Sequence, residues 1–231
     1  MQLAGAFPIL QGKYGDWFLS GFIESLQLLG WALLLALPLG LLLAVGRSAT
    51  SRLARAPATA YVQFLRNIPV MVQLLFWYFA APQLLPAFVR AALYRHGAEF
   101  PCAVLALGLY AAAFVSEDLL SGLRAIPRAQ YEAASALGMG RWQSLRRVIL
   151  PQALRNSLPA LASQALTLWK NTSLATVIGA SELMYQTQKV ETESFRGAEA
   201  FAVATVLYLA VSTLITGLGV VAERWRPVHA R

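Results

Sequence analysis

Residues 131–151 read YEAASALGMGRWQSLRRVILP and form the longest basic passage in a chain otherwise built from apolar runs. Strong helix formers fill the first half, and Gly138 follows them where a left-handed residue commonly ends a helix. A second helix is predicted over 141–149, before Pro151 opens the next apolar segment. A short polar helix-turn-helix between apolar segments predicts a water-facing surface that is offered to a partner.

The composition places this loop in a membrane protein. The chain has 231 residues, of which 58% are hydrophobic and 13% charged, and its mean hydropathy is +0.55. Soluble domains carry about 25% charged residues. The net charge of +8 comes from short arginine clusters at the ends of apolar runs, without an aromatic-interleaved basic groove. We therefore predict a membrane-embedded chain and no nucleic-acid partner.

Five segments are long and apolar enough to span a bilayer as helices, which takes about 20 residues each. They cover residues 18–45, 61–84, 100–120, 154–180 and 201–221, with the polar loop at about 124–151. No second domain, internal repeat or cleaved signal peptide is predicted. The expected fold is therefore an all-α polytopic membrane protein of five transmembrane helices, in a single domain over residues 1–231.

Basic residues concentrate on one side of these predicted spans. They fall in the first connecting loop, the polar loop and the tail: Arg47, Arg52, Arg55, Arg124, Arg128, Arg141, Arg146, Arg147, Arg155, Arg224, Arg226 and Arg231. The other side carries Lys13, Arg90, Arg95, Lys189 and Arg196. Because cytoplasmic loops are enriched in Lys and Arg, we expect a periplasmic N-terminus and a cytoplasmic polar loop and C-terminus.

No catalytic, metal or cofactor site is predicted. A phosphate-binding loop needs several glycines before Gly-Lys-Ser/Thr, and the only Gly-Lys pair, Gly12-Lys13, lacks them. Cys102, His96 and His229 are isolated from one another and from acidic residues in ligand spacing. If ATP drives this protein, a partner subunit must hydrolyse it.

Ionisable residues inside predicted spans are the remaining functional candidates, because placing a charge in lipid is costly. Lys170 lies deep in the fourth span and precedes Asn171, Thr172 and Ser173. Two interpretations stay open for Lys170: contact with a substrate, or a structural role in an ion pair with Glu117 or Glu24 or at the lipid interface. For Arg66-Asn67, a structural role that caps or gates the second span is favoured.

The polar loop resembles the signature loop of type I ABC-importer permease subunits. The resemblance rests on Glu132-Ala133-Ala134, Gly138, Leu150-Pro151 and Val148, where the family usually has Ile. It implies that the loop forms a coupling helix in a cleft of a cytoplasmic ATPase. The residues expected at that contact are Glu132, Ala133, Ala134, Gly138 and Arg141.

A second resemblance points to a substrate class. Residues 64–79, FLRNIPVMVQLLFWYF, with 170–173, are similar to the polar amino-acid uptake permeases, most of all the glutamate/aspartate type, and the similarity covers residues 21–223. Many relatives have Asp where this chain has Asn171, and a neutral residue beside Lys170 suits an anionic substrate. The pathway residues implied are Lys170, Asn171, Thr172, Ser173, Arg66, Asn67 and Glu117. The partners implied are a cytoplasmic ATP-binding subunit, a second permease and a periplasmic substrate-binding protein, at the bacterial inner membrane.

Other functions remain open on the sequence. The same permease role for glutamine, histidine or arginine fits the same motifs. An ion-coupled secondary transporter would leave the signature loop unexplained, and a membrane anchor that moves nothing would leave Lys170 unexplained.

Overall fold

A computed structural model describes residues 8–49, 51–95 and 97–224, and all regular structure in them is helical. The first described element is a 3-10 turn, Pro8–Leu10. The elements that follow are α1 (Lys13–Arg47), α2 (Arg52–Arg66), α3 (Val70–Leu75), which continues through a π turn (Phe76–Ala80) and a 3-10 turn (Ala81–Leu84), α4 (Ala87–Arg95) and α5 (Glu99–Arg124). After the polar loop come α6 (Arg128–Ala136), α7 (Arg141–Ser144), a π turn (Leu145–Ile149), α8 (Leu150–Asn171), a 3-10 helix (Thr172–Ile178), α9 (Leu183–Ser194) and α10 (Gly197–Arg224).

Helices α1 and α5 form the centre of the fold and pack over most of their length. Glycines allow the close approach: a Cβ at Gly40 would collide with Val115, and one at Gly108 with Leu35. Leu35 contacts Gly108, and Gly40, further along α1, contacts Val115, further along α5. The two helices therefore run parallel. Their shared face carries the largest buried apolar cluster, to which α2 and α3 also contribute.

Three predicted spans coincide with long apolar helices. Within the described residues, α1, α5 and α10 are long and apolar enough to cross a membrane. Helix α8 is not among them, because Gln152, Asn156 and Gln164 interrupt its apolar sequence. The predicted fourth span, 154–180, is instead divided between α8 and the 3-10 helix that follows it. The prediction of five spans is therefore not confirmed by helix length and composition alone.

The predicted second span, 61–84, is broken rather than continuous. Its two halves, Arg55–Arg66 and Val70–Leu84, meet at an angle of 104°. Pro69 is the N-cap residue of α3 and disfavours helical backbone at Ile68 before it, so α2 does not continue into α3. The Gln73 side chain donates to the carbonyl oxygens of Leu65 (2.9 Å) and Ile68 (3.0 Å), which the break leaves without helical partners.

The C-terminal helices wrap around this centre. Ser157 of α8 packs against Gly122 of α5, and its hydroxyl donates to the Asp118 carbonyl at 3.1 Å. The indole of Trp169, fully buried, donates to the Tyr208 carbonyl of α10 at 3.1 Å. Two of the arginines that predicted the orientation, Arg226 and Arg231, lie outside the described residues, as do His96 and His229.

Candidate coupling surface and substrate pathway

The turn of the polar loop has the conformation that the sequence predicts. Pro127 caps the start of α6, and Gly138 has the left-handed conformation with φ of 71°. The Met139 N–H donates to the Ala134 carbonyl at 3.1 Å, and the Gly138 N–H to the Ser135 carbonyl at 2.9 Å. This pair of bonds is a Schellman motif, which satisfies the last carbonyls of α6. The predicted helical end at Gly138 is confirmed.

The predicted coupling residues divide into two groups in the structure. Glu132, Ala133, Gly138 and Arg141 are exposed, whereas the side chain of Ala134 is buried. A Cβ at Gly138 would meet no atom within 4 Å, so the surface there is open. Ala134 therefore contributes to packing beneath the loop, and its small side chain is not part of the exposed surface.

The loop is held against the rest of its own chain. A small apolar cluster of Ile126, Ile149 and Ala153 lies between the end of α5 and the start of α8. The Gln152 side chain of α8 donates to the Gln130 side chain of α6 at 3.2 Å. These contacts fix the position of α6, so the loop presents a defined surface.

Two large apolar side chains on this surface were not among the predicted coupling residues. Leu137 is 76% exposed and Trp142 is 72% exposed, on either side of the Gly138 turn. The sequence offered one signal, an apolar residue and a Trp in an otherwise basic segment. Exposed aromatic and aliphatic side chains beside arginines are typical of protein-binding surfaces.

The structure brings Arg66 and Glu117 together and adds Arg47, which the sequence reasoning used only for orientation. The Glu117 carboxylate accepts from Arg47 at 2.7 Å and from Arg66 at 2.9 Å. Arg47 also donates to the Ser116 hydroxyl at 3.4 Å, and the Arg66 guanidinium lies 5.2 Å from the Phe114 ring centre. We call Arg47, Glu117 and Arg66 the arginine–glutamate cluster; it joins the ends of α1 and α2 to α5.

Lys170 has no such partner. Its side chain is exposed at the end of α8, and among the described residues it forms no ion pair with Glu117 or Glu24. The interpretation of Lys170 as the partner of Glu117 is wrong, because Arg47 and Arg66 occupy that carboxylate. Of the charged pathway candidates, Lys170 is the one that forms no ion pair within the part of the chain that the structure describes.

The polar side chains after Lys170 mostly form hydrogen bonds to backbone carbonyls at the end of α8. Thr172 is buried and donates to the Trp169 carbonyl at 2.7 Å, and Ser173 donates to the Lys170 carbonyl at 2.7 Å. Asn171 is half-buried and ends α8. The following 3-10 helix packs against α3, so the two sequence motifs, 64–79 and 170–173, are neighbours in the fold.

A fully buried carboxylate was missed by the sequence reasoning. Glu182 caps α9 by accepting from the N–H groups of Met184 (2.9 Å) and Tyr185 (2.8 Å), and it also accepts from the hydroxyls of Tyr208 (3.0 Å) and Ser25 (3.3 Å). Glu182 lies between the candidate spans; burial raises the pKa of its carboxyl to about 7, while the hydrogen bonds act to lower it. Glu is not a preferred helix-capping residue, so no local signal marked it.

Within the described residues, no group of three or more His, Cys, Asp or Glu side chains is placed to hold a metal ion. The features described above are the charge pairing of the arginine–glutamate cluster, the Lys170 ammonium, which forms no ion pair with a described residue, and the exposed surface of the loop.

Comparison with known proteins identifies the family. Residues 36–226 match the family described as binding-protein-dependent transport system inner membrane component, and the chain belongs to it. The match includes the polar loop, the arginine–glutamate cluster and Lys170.

Individual relatives agree with this assignment. The chain is 34% identical over 210 residues to the arginine ABC transporter permease protein ArtQ of Haemophilus influenzae, covering 90% of this chain and 93% of that protein. It is 32% identical over 221 residues to the glutamate/aspartate import permease protein GltJ of Escherichia coli K12, covering 94% and 90%. A crystal structure of an amino acid ABC transporter with histidines superposes with a TM-score of 0.81 at 29% identity, covering 92% of this chain and 95% of that one. The predicted resemblance to ABC-importer permeases of the polar amino-acid uptake family is confirmed.

Proposed function

We propose that this chain is the transmembrane subunit of an ATP-driven importer of a polar amino acid. The main support for the proposal is the polar loop, a helix-turn-helix bonded to α8, with exposed Glu132, Ala133, Arg141 and Trp142 beside an open Gly138. Family membership and relatives that are named as amino-acid permeases support it.

In the proposed arrangement the chain is a multi-pass protein of a bacterial inner membrane. It has five spans if the broken helix pair and α8 each cross, with the N-terminus periplasmic and the loop and C-terminus cytoplasmic. A cytoplasmic ATP-binding subunit holds the loop, and a periplasmic binding protein delivers substrate. A second permease, of the same or a related sequence, completes the pathway, because Lys170 is exposed and forms no ion pair among the described residues.

Coupling would pass from the loop to the centre of the fold. Helix α6 is tied to α8 through Gln130 and Gln152, and α8 is packed on α5 through Ser157. A push on the loop by the ATPase would therefore move α8 and its end at Lys170 relative to the α1–α5 pair. Glu132, Ala133, Gly138 and Arg141 are the proposed contacts, and Ala134 is the proposed packing residue beneath them.

For the substrate we propose glutamate or aspartate. Lys170 carries a positive charge without a partner, Asn171 beside it is neutral, and the cluster of Arg47, Arg66 and Glu117 has a net positive charge. An excess of positive charge near the pathway favours an anionic side chain. Relatives of similar identity are named for arginine and for glutamate/aspartate, so the overall similarity does not separate these substrates.

The test is uptake by the complex reconstituted in vesicles with its ATPase and binding protein. We expect ATP-dependent accumulation of labelled glutamate and aspartate that exceeds that of glutamine and arginine. A preference for arginine would reject the acidic substrate and leave the importer role intact. Accumulation that persists without ATP would reject the ATP-driven role and favour an ion-coupled transporter.

A further inference from the structure

The segment 84–95, which joins the broken span to α5 and includes α4, exposes large apolar side chains outside the long apolar helices. Leu84 is 84% exposed and Phe88 is 77% exposed, and Leu85 and Val89 are also exposed. No residue of α4 is buried. Exposed apolar groups this close together mark a surface that something covers.

The protein side of α4 is fixed, which gives the exposed side a defined direction. Leu93 packs against the main apolar cluster, and the Tyr94 hydroxyl donates to the Tyr78 carbonyl at 2.8 Å. Arg90 donates to the Gln83 side chain at 2.8 Å. Phe88 therefore points away from the helix bundle, as its exposure shows.

Exposed apolar side chains also lie on the candidate half-span that directly precedes this segment in the chain. Phe76 and Phe79 are exposed in Val70–Leu84, and Leu84 at its end and Phe88 in α4 are exposed as well. Lipid hydrocarbon that covers the half-span would therefore reach the segment 84–95 at the level of the headgroups.

The charge of the segment also selects its partner. Between Pro82 and Ala98 there is no acidic residue, whereas Arg90 and Arg95 supply positive charge. Arg95 is exposed and forms no ion pair with any described residue. A second copy of the same segment would offer no carboxylate to these arginines. The phosphate groups of anionic phospholipids, in contrast, would offer them negative charge.

From these observations we infer that the segment 84–95 lies in the membrane interface. Leu84 and Phe88 enter the acyl boundary, and Arg90 and Arg95 bind anionic phospholipid headgroups. Phe88 and Arg95 are seven positions apart and therefore share one face of α4, so the apolar side chain can enter the acyl boundary while the guanidinium reaches the headgroups. Binding of this segment to lipid does not depend on which substrate is transported or on the ATPase.

Site-directed spin labelling of the full chain in vesicles tests this directly. Phe88→Cys and Leu84→Cys are made in a Cys102→Ala background, which removes the only other cysteine. Leu209→Cys on α10 is the lipid-exposed reference, and Gln143→Cys on α7 is the water-exposed reference. The measurement is collision of each label with oxygen and with a water-soluble nickel chelate.

In vesicles that contain phosphatidylglycerol, we expect the labels at 84 and 88 to resemble the label at 209: accessible to oxygen and protected from the chelate. Replacing phosphatidylglycerol by phosphatidylcholine is expected to increase chelate access at 88. The Arg90→Gln/Arg95→Gln double variant should remove that dependence on lipid charge.

Three results would overturn the inference. A label at 88 that collides with the chelate as often as the label at 143 would place the segment in water. Strong spin–spin broadening between labels at 88 would show that a second copy covers it. Chelate access at 88 that does not change with lipid charge would remove the headgroup assignment.

Discussion

Glu117 and Lys170 are both ionisable residues of helices in the predicted transmembrane region, but their surroundings differ. The Glu117 carboxylate lies between Arg47 and Arg66, which come from two other helices. Lys170 is exposed and has no ion-pair partner among the described residues. Among the described residues the Glu117 charge is paired between helices, whereas the Lys170 charge is not. We therefore propose that Glu117 stabilises the fold and that Lys170 contacts a ligand or a second subunit.

Of the variants that test this comparison, the one that removes the Glu117 charge is expected to lose the most stability. Glu117→Gln leaves Arg47, whose side chain is only 9% exposed, without its carboxylate. We expect a loss of roughly 3 kcal/mol in stability, at the low end for removing one partner of a buried pair, since Glu117 is itself partly exposed. Thermal unfolding in detergent measures the loss.

The matched control is Glu193→Gln, which breaks the exposed ion pair between Lys13 and Glu193. That pair is expected to contribute about 0–1 kcal/mol, as exposed ion pairs do. Equal losses for the two variants would show that the arginine–glutamate cluster contributes no more to the fold than a surface pair.

Replacing Lys170 tests whether its charge contributes to uptake and not to stability. Lys170→Met should leave thermal stability unchanged, because the ammonium forms no ion pair with any described residue. It should lower kcat/KM for glutamate uptake by about tenfold, which corresponds to about 1.4 kcal/mol of lost interaction. Uptake kinetics in vesicles measure it, with Lys170→Arg expected to retain most activity.

Lys189→Met is the control for removing one exposed positive charge elsewhere, and it should leave uptake unchanged. A Lys170→Met variant that unfolds more easily, with normal uptake when folded, would assign Lys170 to structure instead.

Glu182 is an intermediate case, a buried carboxylate satisfied by hydrogen bonds and not by a cation. Tyr208→Phe removes one of its donors and, at a pH above the raised pKa of Glu182, should cost about 1–2 kcal/mol, because hydrogen bonds to charged groups contribute somewhat more than neutral ones. Thermal unfolding measures the loss. Tyr185→Phe is the control, since Glu182 accepts from the backbone of Tyr185 and not from its side chain. The two variants unfolding at the same temperature would mean that the Tyr208 hydroxyl contributes nothing.

The parts of the fold that depend on local sequence could be predicted. Long apolar runs predicted α1, α5 and α10, and the end of α6 at Gly138 followed from a glycine after a helix-forming stretch. The break between α2 and α3 had a local signal in Pro69, but the continuous apolar pattern over 61–84 outweighed it in the prediction.

Long-range contacts could not be predicted in this way. Arg47 and Glu117 are 70 positions apart, and Ser25 and Glu182 are 157 apart, so only the packing of α5 and α9 on α1 brings them together. Arg47 was interpreted as an orientation signal because its partner could not be identified from its neighbours. The burial of Ala134 likewise depends on how α6 rests on the start of α8.

We propose that an ATPase acts on this chain through the loop around Gly138. The most direct test of this contact is co-purification of the ATPase with the Gly138→Asp and Gly138→Asn variants, together with ATP-driven uptake. Both residues tolerate the left-handed conformation, and a Cβ at this position meets no atom of the chain within 4 Å. The two variants differ by one negative charge, and thermal unfolding of each variant separates its effect on α6 from its effect on the ATPase contact. We predict that Gly138→Asp inserts normally but loses the ATPase and uptake, while Gly138→Asn keeps more of both. Normal co-purification and uptake with Gly138→Asp would contradict the claim.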